Sequence, residues 1–173
     1  SKWLKILGSK YIQSNVGQSF KSAKSDLDAG KIVLFSGTPC QINGLTQFLK
    51  KDYKNLITVD FICHGVPSPL LWKKYAEYME KKKKGKLSFV NFRDKQLDWN
   101  SFGVRTKCGV YDSFLSQYDD PYLIMFLKDF CLRPSCYSCV PKNNPSKSDF
   151  TMGDFWGINE IEPQLNDGKG TSI

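Results

Sequence analysis

Histidine is almost absent from this sequence, because His64 is the only one among 173 residues. Metal or redox chemistry would therefore depend on the six cysteines. Long apolar runs are also missing, and no stretch approaches the ~20 residues that a membrane span requires. The opening SKWLKILGSK lacks the apolar core and the cleavage site of a secretory signal. We therefore expect a cytoplasmic location, no membrane span and no structural disulfide framework, since such frameworks belong to oxidising compartments.

Signs of disorder are lacking as well, since 40% of the residues are hydrophobic and 14% are aromatic. The length suits one domain with a real hydrophobic core, and we expect a single α/β domain over residues 1–173. The chain does not begin with methionine, and it ends in NDGKGTSI, where turn residues precede what reads as a strand start. These two ends predict that the sequence is a piece of a longer protein.

The net charge of +8 points to an anionic partner, but much of it lies in one run, EKKKKGK, at 80–86. This run ends a predicted helix, where cations complement the helix dipole. A solvated helix end is the simpler interpretation. No nucleic-acid recognition motif accompanies the basic residues, so we expect no nucleic-acid partner.

Strands and helices alternate in the first half of the sequence. KIVLFSG (31–37), LITVDFICHG (56–65) and KLSFVNFRD (86–94) predict strands, the first two of them buried. TPCQINGLTQFLKK (38–51), with Thr38 as N-cap, and PLLWKKYAEYMEKKKK (69–84) predict helices. The inner face of the second helix is predicted to carry Leu70, Leu71, Tyr75, Tyr78 and Met79.

The second half predicts a hairpin at 102–115, a helix at 119–132 and an aromatic-rich strand or loop at 148–158. The predicted fold class is α/β, with a mixed, mostly parallel sheet flanked by helices and an antiparallel hairpin addition. Residues 1–30 would form an opening segment, 31–95 a βαβαβ unit, and 96–173 the hairpin, a helix and the CxxC region.

Two cysteines follow predicted strand ends. Cys40 lies in the first turn of a helix, where a thiolate faces unsatisfied N–H groups and the positive end of the dipole, which favours ligation. Cys63 follows the second strand in the same way. If the two strands are neighbours in a parallel sheet, both thiols emerge at one edge, where α/β sheets bind ligands. His64 is adjacent to Cys63, and we expect a structural or supporting role rather than a catalytic dyad.

Cys136 and Cys139 are separated by two residues and can reach one metal or one cluster. Together with Cys40 and Cys63 they make four thiolates, enough for a [4Fe–4S] cluster or a Cys₄ zinc site. A thiol–disulfide pair of Cys136 and Cys139 is a third possibility. Cys131 extends the pattern to C-x₄-C-x₂-C, the plant-type [2Fe–2S] spacing, but no cysteine follows Cys139. We expect Cys131 to pack as a small hydrophobe and Cys108 to be structural or a bystander.

Six segments occur in an order that resembles the C-terminal domain of the coenzyme F-420 hydrogenase/dehydrogenase beta-subunit family: GSKYIQS, VLFSGTPCQINGL, DFICHGVPSP, FRDK…W…FG, LRPSCYSC and SDFTMGDFWGI. The resemblance implies an iron–sulfur flavoprotein with FAD and a [4Fe–4S] cluster. Members of the family pass electrons between a redox partner, such as ferredoxin or another oxidoreductase subunit, and a two-electron acceptor such as coenzyme F-420. The parent protein would then be an enzyme, whereas the sequence leaves the activity of this piece open. A non-catalytic Cys₄ zinc domain stays the alternative.

The resemblance also implies roles for individual residues. Cys40, Cys63, Cys136 and Cys139 would be the cluster ligands. The stretch GSKYIQS (8–14) would approach flavin or substrate, and the residues implied are Ser9, Lys10, Tyr11 and Gln13. In GDFWG, Phe155 and Trp156 would shield the cluster or simply pack in the core. At Asp98-Trp99 the sequence departs from the family pattern, which has glycine before the tryptophan.

Overall fold

A computed structural model describes residues 8–96, 99, 101–143 and 147–173. Its strands are β1 (Val33–Ser36), β2 (Leu56–Phe61), β3 (Leu87–Asp94), β4 (Gly103–Cys108), β5 (Tyr111–Ser116) and β6 (Phe150–Met152). Its helices are α1 (Ser19–Asp28), α2 (Pro39–Leu49), α3 (Pro69–Lys83), α4 (Pro121–Leu127), α5 (Pro134–Tyr137), α6 (Val140–Asn143) and α7 (Ile158–Ile161), and a 3-10 turn follows at Pro163–Leu165. Over the described ranges, none of these helices has the length and apolar character that crossing a membrane requires.

The described chain divides into two compact units, and the single α/β domain over residues 1–173 stays a prediction. Unit 1 contains residues 8–13 and Gly65–Cys136, and unit 2 contains Ser14–His64 and Tyr137–Ile173. The six strands are shared equally between a parallel sheet, ordered β1-β2-β6, and an antiparallel sheet, ordered β3-β4-β5. The fold is therefore mixed α/β, as the sequence predicted.

The parallel sheet lies in unit 2. Ser36 of β1 pairs with Val59 of β2, and Val59 also pairs with Phe150 of β6. Helix α2 makes the crossover that two parallel neighbours require. Side chains from α1, α2 and one face of the sheet form the core of this unit: Ala23, Leu27, Leu45 and Leu49, with Phe20, Val33, Phe35, Tyr53 and Leu56 packed against them.

The opposite face of the parallel sheet is apolar and exposed. Side chains alternate along a strand, so Leu34 lies on the face opposite to Val33 and Phe35, and it is 67% exposed. Phe150 of β6 is 63% exposed. The sequence predicted fully buried strands, because the runs at 31–37 and 56–65 are apolar almost throughout. The prediction of strands is confirmed, but only one face of them is covered.

The antiparallel sheet lies in unit 1 and packs against α3 and α4. β4 is the central strand, with Phe89 of β3 opposite Lys107 and Tyr111 of β5 opposite Cys108. Ten buried side chains form the core of this unit: Tyr75, Met79, Phe92, Phe102, Val104, Cys108, Tyr122, Leu123, Phe126 and Leu132. The hairpin predicted at 102–115 is confirmed as β4 and β5.

A buried hydrogen-bonded pair fixes α4 within this core. The carboxylate of Asp120 is fully buried; its Oδ1 accepts from the N–H of Leu123 at 2.9 Å and its Oδ2 from the hydroxyl of Tyr75 at 2.7 Å. Asp120 is therefore the N-cap of α4 and the partner of a tyrosine from α3. Burial raises the pKa of Asp120 and also that of Tyr75.

Two details of unit 1 differ from the sequence-based predictions. β3 does not join the βαβαβ unit predicted for 31–95, because it pairs with β4 in the antiparallel sheet. On α3, Tyr75 and Met79 are buried as predicted, but Leu70 is 63% and Tyr78 is 47% exposed. The predicted inner face was too wide, because residues at the edges of an apolar stripe on a helix are left outside the core.

Candidate metal centre at the edge of the parallel sheet

Cys40 lies in the first turn of α2, directly after β1. Pro39 begins the helix, and the N–H of Thr38 donates to Oε1 of Gln41 at 2.9 Å, which closes the N-terminus of the helix. The thiol of Cys40 is exposed and lies 3.1 Å from the hydroxyl oxygen of Thr38. The helix start therefore presents the sulfur to solvent together with a hydroxyl group that can donate to it.

Cys63 lies two residues beyond the end of β2. β1 and β2 are adjacent parallel strands, so Cys40 and Cys63 follow the carboxyl ends of two neighbouring strands. The condition on which the sequence-based inference depended, two neighbouring parallel strands, is therefore met. Cys63 is half-buried, and the next residue, His64, is exposed. Since β2 ends at Phe61, both residues lie outside the strand.

The segment GDFWG follows the carboxyl end of the third parallel strand. Met152 of β6 pairs with Phe61 of β2, and its carbonyl oxygen accepts from the N–H of Ile62 at 2.9 Å. A Cβ on Gly153 would lie 2.7 Å from the Ile62 side chain, so this position favours glycine. Trp156 is 58% exposed. All three parallel strands therefore end at an edge that carries Cys40, Cys63 or the GDFWG segment.

The CxxC pair lies where the two units meet in sequence. Cys136 is the last residue of unit 1, and its half-buried side chain packs against the core of that unit. Cys139 belongs to unit 2 and immediately precedes α6. α6 lies against α2, the helix that begins with Pro39 and Cys40.

The donor chemistry of these residues suits a thiolate-bound metal or cluster. All six cysteines are free thiols. Within the described part of the chain, however, no three His, Cys, Asp or Glu side chains lie close enough together to hold a metal ion. The residue types therefore fit the predicted centre, but the described side chains are not gathered around one point.

The two remaining cysteines have environments of a different kind. Cys108 is buried in β4, and Cys131 packs against the core of unit 1 just beyond α4. Burial raises the pKa of both thiols, with a smaller contribution from Glu80 for Cys108 and from Asp129 for Cys131. A raised pKa opposes ligation, because the ligand is the thiolate. Both environments agree with the packing roles predicted from the sequence.

Two residues of the stretch predicted to approach flavin make contacts within unit 1. The ammonium of exposed Lys10 donates to the carbonyl of Gly8 at 3.0 Å. The Tyr11 ring stacks on Phe126 with centroids 4.7 Å apart, so this ring contributes to packing. Ser9 is half-buried and Gln13 is exposed. Flavin binding by these four residues stays a prediction.

Sequence reasoning missed two residues that organise the site, Gln41 and Ser14. Gln41 closes the start of α2, and its Nε2 also donates to the hydroxyl of Ser14 at 2.8 Å. Gln41 therefore joins the end of the stretch 8–14 to the helix that carries Cys40. The available signal was the T-x-x-Q pattern at 38–41, which is typical of a capping box.

The FRDK…W…FG motif is structural in the described residues. The guanidinium of Arg93 lies 5.0 Å from the ring centroid of Trp99 and 4.9 Å from that of Phe102. A Cβ on Gly103 would lie 2.2 Å from the carbonyl oxygen of Leu115. The motif thus holds β3, β4 and β5 together. Asp98, where the sequence departs from the expected pattern, lies outside the described residues.

Comparison with known proteins identifies the family. The comparisons with curated proteins and with solved structures give no match. A family described as the C terminus of the coenzyme F420 hydrogenase/dehydrogenase beta subunit matches residues 30–173. This range contains both sheets and all six cysteines, and it begins just before β1. The chain therefore belongs to the coenzyme F420 hydrogenase/dehydrogenase beta-subunit family, of which it carries the C-terminal domain.

Proposed function

We propose that this chain is the electron-relay domain of an iron–sulfur flavin oxidoreductase, in which Cys40, Cys63, Cys136 and Cys139 hold a [4Fe–4S] cluster. Such a cluster, when bound, would supply single-electron transfer, and FAD in the whole protein would supply the hydride-type chemistry with coenzyme F420 or another two-electron acceptor. The electrons would be exchanged with a ferredoxin or with another polypeptide of the oxidoreductase.

One observation carries the proposal: Cys40 and Cys63 follow adjacent parallel strands at one edge of the same sheet. Ligands of open α/β sheets bind outside the carboxyl ends of the strands. Cys139, also in unit 2, immediately precedes α6, which lies against α2. The C-x₂-C spacing would allow Cys136 and Cys139 to bind the same cluster. Membership of the family supports the same chemistry.

Several groups of the chain would support a thiolate centre there. The first turn of α2 has backbone N–H groups without intrahelical acceptors, and these donors stabilise negative charge on the Cys40 sulfur. The Thr38 hydroxyl, 3.1 Å from that sulfur, adds another donor. Phe155 and Trp156 follow β6 at the same edge and would restrict water around the cluster. On the stretch 8–14, we propose Lys10 as the contact for an anionic group of flavin or substrate.

The test is metal analysis of protein prepared without oxygen. We expect about four iron and four sulfide per chain, with the spectrum of a reducible [4Fe–4S] centre. The Cys→Ser variants of the four proposed ligands should each lose most of the iron. Cys131→Ser is the matched control, because it removes a thiol from the same region, and it should retain the iron.

Other outcomes would identify a different function. One zinc per chain without sulfide would overturn the proposal in favour of a Cys₄ structural domain. A metal-free protein with a reversible Cys136–Cys139 disulfide would favour thiol–disulfide chemistry. Loss of iron in Cys131→Ser, with retention in one of the four ligand variants, would show that the ligand set is wrong.

A further inference from the structure

Lysines are concentrated where the chain of unit 1 leaves α3. Seven residues between positions 73 and 86 are lysines, against two glutamates. Both glutamates already pair with lysines of this segment, at 3.4 and 3.3 Å. Lys81 and Lys84 are exposed and form no ion pair with any residue that the structure describes. This end of α3 is therefore a region of uncompensated positive charge.

The turn between β4 and β5 is fixed against this helix end. The N–H of Gly109 donates to the carbonyl of Lys86 at 3.0 Å. The two backbones approach so closely that a Cβ on Gly85 would lie 2.8 Å from Cα of Gly109. This contact presents Val110, which is 94% exposed, together with the half-exposed ring of Tyr111. An apolar tip is thus held beside the lysines.

A cleft of about 440 Å³ lies in the same part of unit 1, between α3 and β5. Asp119 is the acidic residue in the lining of this cleft, and its carboxylate accepts a hydrogen bond from the hydroxyl of Ser116 at 2.6 Å. The cleft otherwise combines apolar side chains with two ammonium groups, and its lining includes Tyr78, Met79, Lys82, Lys83, Phe114 and Leu115. The ammonium of Lys83 also lies 5.7 Å from the Tyr111 ring centroid, which connects the cleft to the hairpin tip.

The helix dipole accounts for only part of this arrangement. Lysines in the last turn of a helix stabilise it whether or not they bind anything. That effect gives no reason for an exposed valine and tyrosine among them or for the neighbouring cleft. Apolar anchors surrounded by charge are typical of protein–protein interfaces. A nucleic acid would use the lysines through its phosphates and would gain nothing from Val110.

We propose that this surface, named here the α3–hairpin surface, docks an acidic segment of a partner protein. It consists of Lys81–Lys84, Lys86, Val110, Tyr111 and the cleft. Carboxylates of the partner face the lysines, and one apolar side chain of the partner enters the cleft. The proposal is independent of the cofactors, because every residue of the surface belongs to unit 1 and none is a proposed cluster ligand.

The test measures binding of labelled probes to the whole chain. The first probe is a short peptide of Asp and Glu with one central Phe. The second has Ser in place of that Phe, and the third is a duplex DNA of equal charge. We expect the first peptide to bind, and we expect its affinity to fall as the salt concentration is raised. It should bind about tenfold or more tightly than the second peptide, because an aromatic side chain is buried only in the first complex.

Matched variants locate the site. Lys81→Gln combined with Lys84→Asn should weaken binding of the first peptide about tenfold, because charge attraction is lost. Val110→Ser should also weaken binding of this peptide. The control is Lys21→Gln combined with Lys50→Asn, which removes the same charge from unit 2. Lys50 and Lys84 have the same left-handed conformation, with φ of 58° and 50°, and Asn tolerates it.

Three results would overturn the proposal. The first is equal affinity of the chain for the two peptides. The second is an equal loss of affinity for the first peptide in the double lysine variant of the surface and in its control. The third is DNA binding as tight as that of the first peptide. Thermal melting of each variant verifies that the fold is retained. Binding that follows the expected order in protein with or without iron would support the surface whatever the fate of the cluster.

Discussion

Asp120 is the residue whose replacement should destabilise unit 1 most clearly. In Asp120→Ala, α4 loses its N-cap, which costs about 1 kcal/mol. The hydroxyl of Tyr75, a residue that is only 4% exposed, loses its acceptor at 2.7 Å, and an unsatisfied buried polar group costs about 1–3 kcal/mol. The expected decrease in the free energy of unfolding is therefore about 2–4 kcal/mol.

Asp120→Asn separates shape from charge. The amide oxygen can still accept from the N–H of Leu123, and the Tyr75 hydroxyl can rotate to accept from the amide NH₂. We therefore expect Asp120→Asn to cost less than Asp120→Ala, because Leu123 and Tyr75 both keep a hydrogen-bond partner. Asp119→Ala, at the exposed neighbouring position, should cost less than about 1 kcal/mol.

The assay is urea unfolding followed by tryptophan fluorescence. Trp72 is a suitable reporter, because its ring lies 5.9 Å from Tyr75 and 5.8 Å from Tyr122, centroid to centroid. A loss below about 1 kcal/mol in Asp120→Ala, or equal losses in the alanine and asparagine variants, would refute the reasoning.

The same pair predicts the sign of a pH effect. Burial raises the pKa of Asp120 above its ordinary value of 3.8, so the folded chain holds this proton more readily than the unfolded chain does. The stability that the group contributes is complete below the unfolded pKa and is lost as the pH rises through the folded pKa. The stability deficit of Asp120→Asn relative to the native chain should therefore narrow as the pH rises. A deficit that widens would contradict the raised pKa.

Further predictions concern backbone approach and strand pairing. Gly103→Ala places a methyl group 2.2 Å from the Leu115 carbonyl oxygen. We therefore expect the free energy of unfolding, measured by urea titration, to fall by about 1–3 kcal/mol or more. Gly44→Ala, in the interior of α2 with its nearest neighbour atoms at 3.4 Å, should be neutral or stabilising by up to about 1 kcal/mol. Asp149→Ala removes the acceptor of the Thr58 N–H (2.7 Å) and hydroxyl (2.8 Å), and hydrogen exchange at that amide should become faster. These bonds lower the pKa of Asp149, so their stabilising effect should be lost as the pH falls through the folded pKa.

Local elements could be predicted from the sequence because their signals are local. Thr38 and Pro39 mark the start of α2, and alternation around Gly109 marks the β4–β5 hairpin. The edge shared by Cys40 and Cys63 followed from two strand ends and the parallel rule. Each of these inferences needed only a few neighbouring residues and one general constraint on backbone geometry.

Strand partners could not be predicted in the same way. β3 has an apolar character that suits either sheet, and only its register with β4 shows that it belongs to the antiparallel one. Leu34 is as apolar as Val33, so a continuous apolar run does not reveal which face of the strand is covered. Tyr11 was predicted to approach flavin or substrate, and nothing in the sequence indicated that its ring stacks on Phe126. These outcomes depend on residues far away in the sequence.

The pairing of β2 with β6 has a consequence for synthesis on the ribosome. Thr58 and Asp149, which tie these strands together, are 91 positions apart, and most of unit 1 lies between them. The parallel sheet therefore stays at two strands until the 91 positions that separate Thr58 from Asp149 have been synthesised, which takes several seconds at about 5–20 residues per second. Helices α3 and α4 and their antiparallel sheet have emerged by then, and their prior collapse would shorten the loop that β6 must close. We expect unit 1 to gain protease resistance first in stalled nascent chains, with unit 2 following only after Asp149 is released.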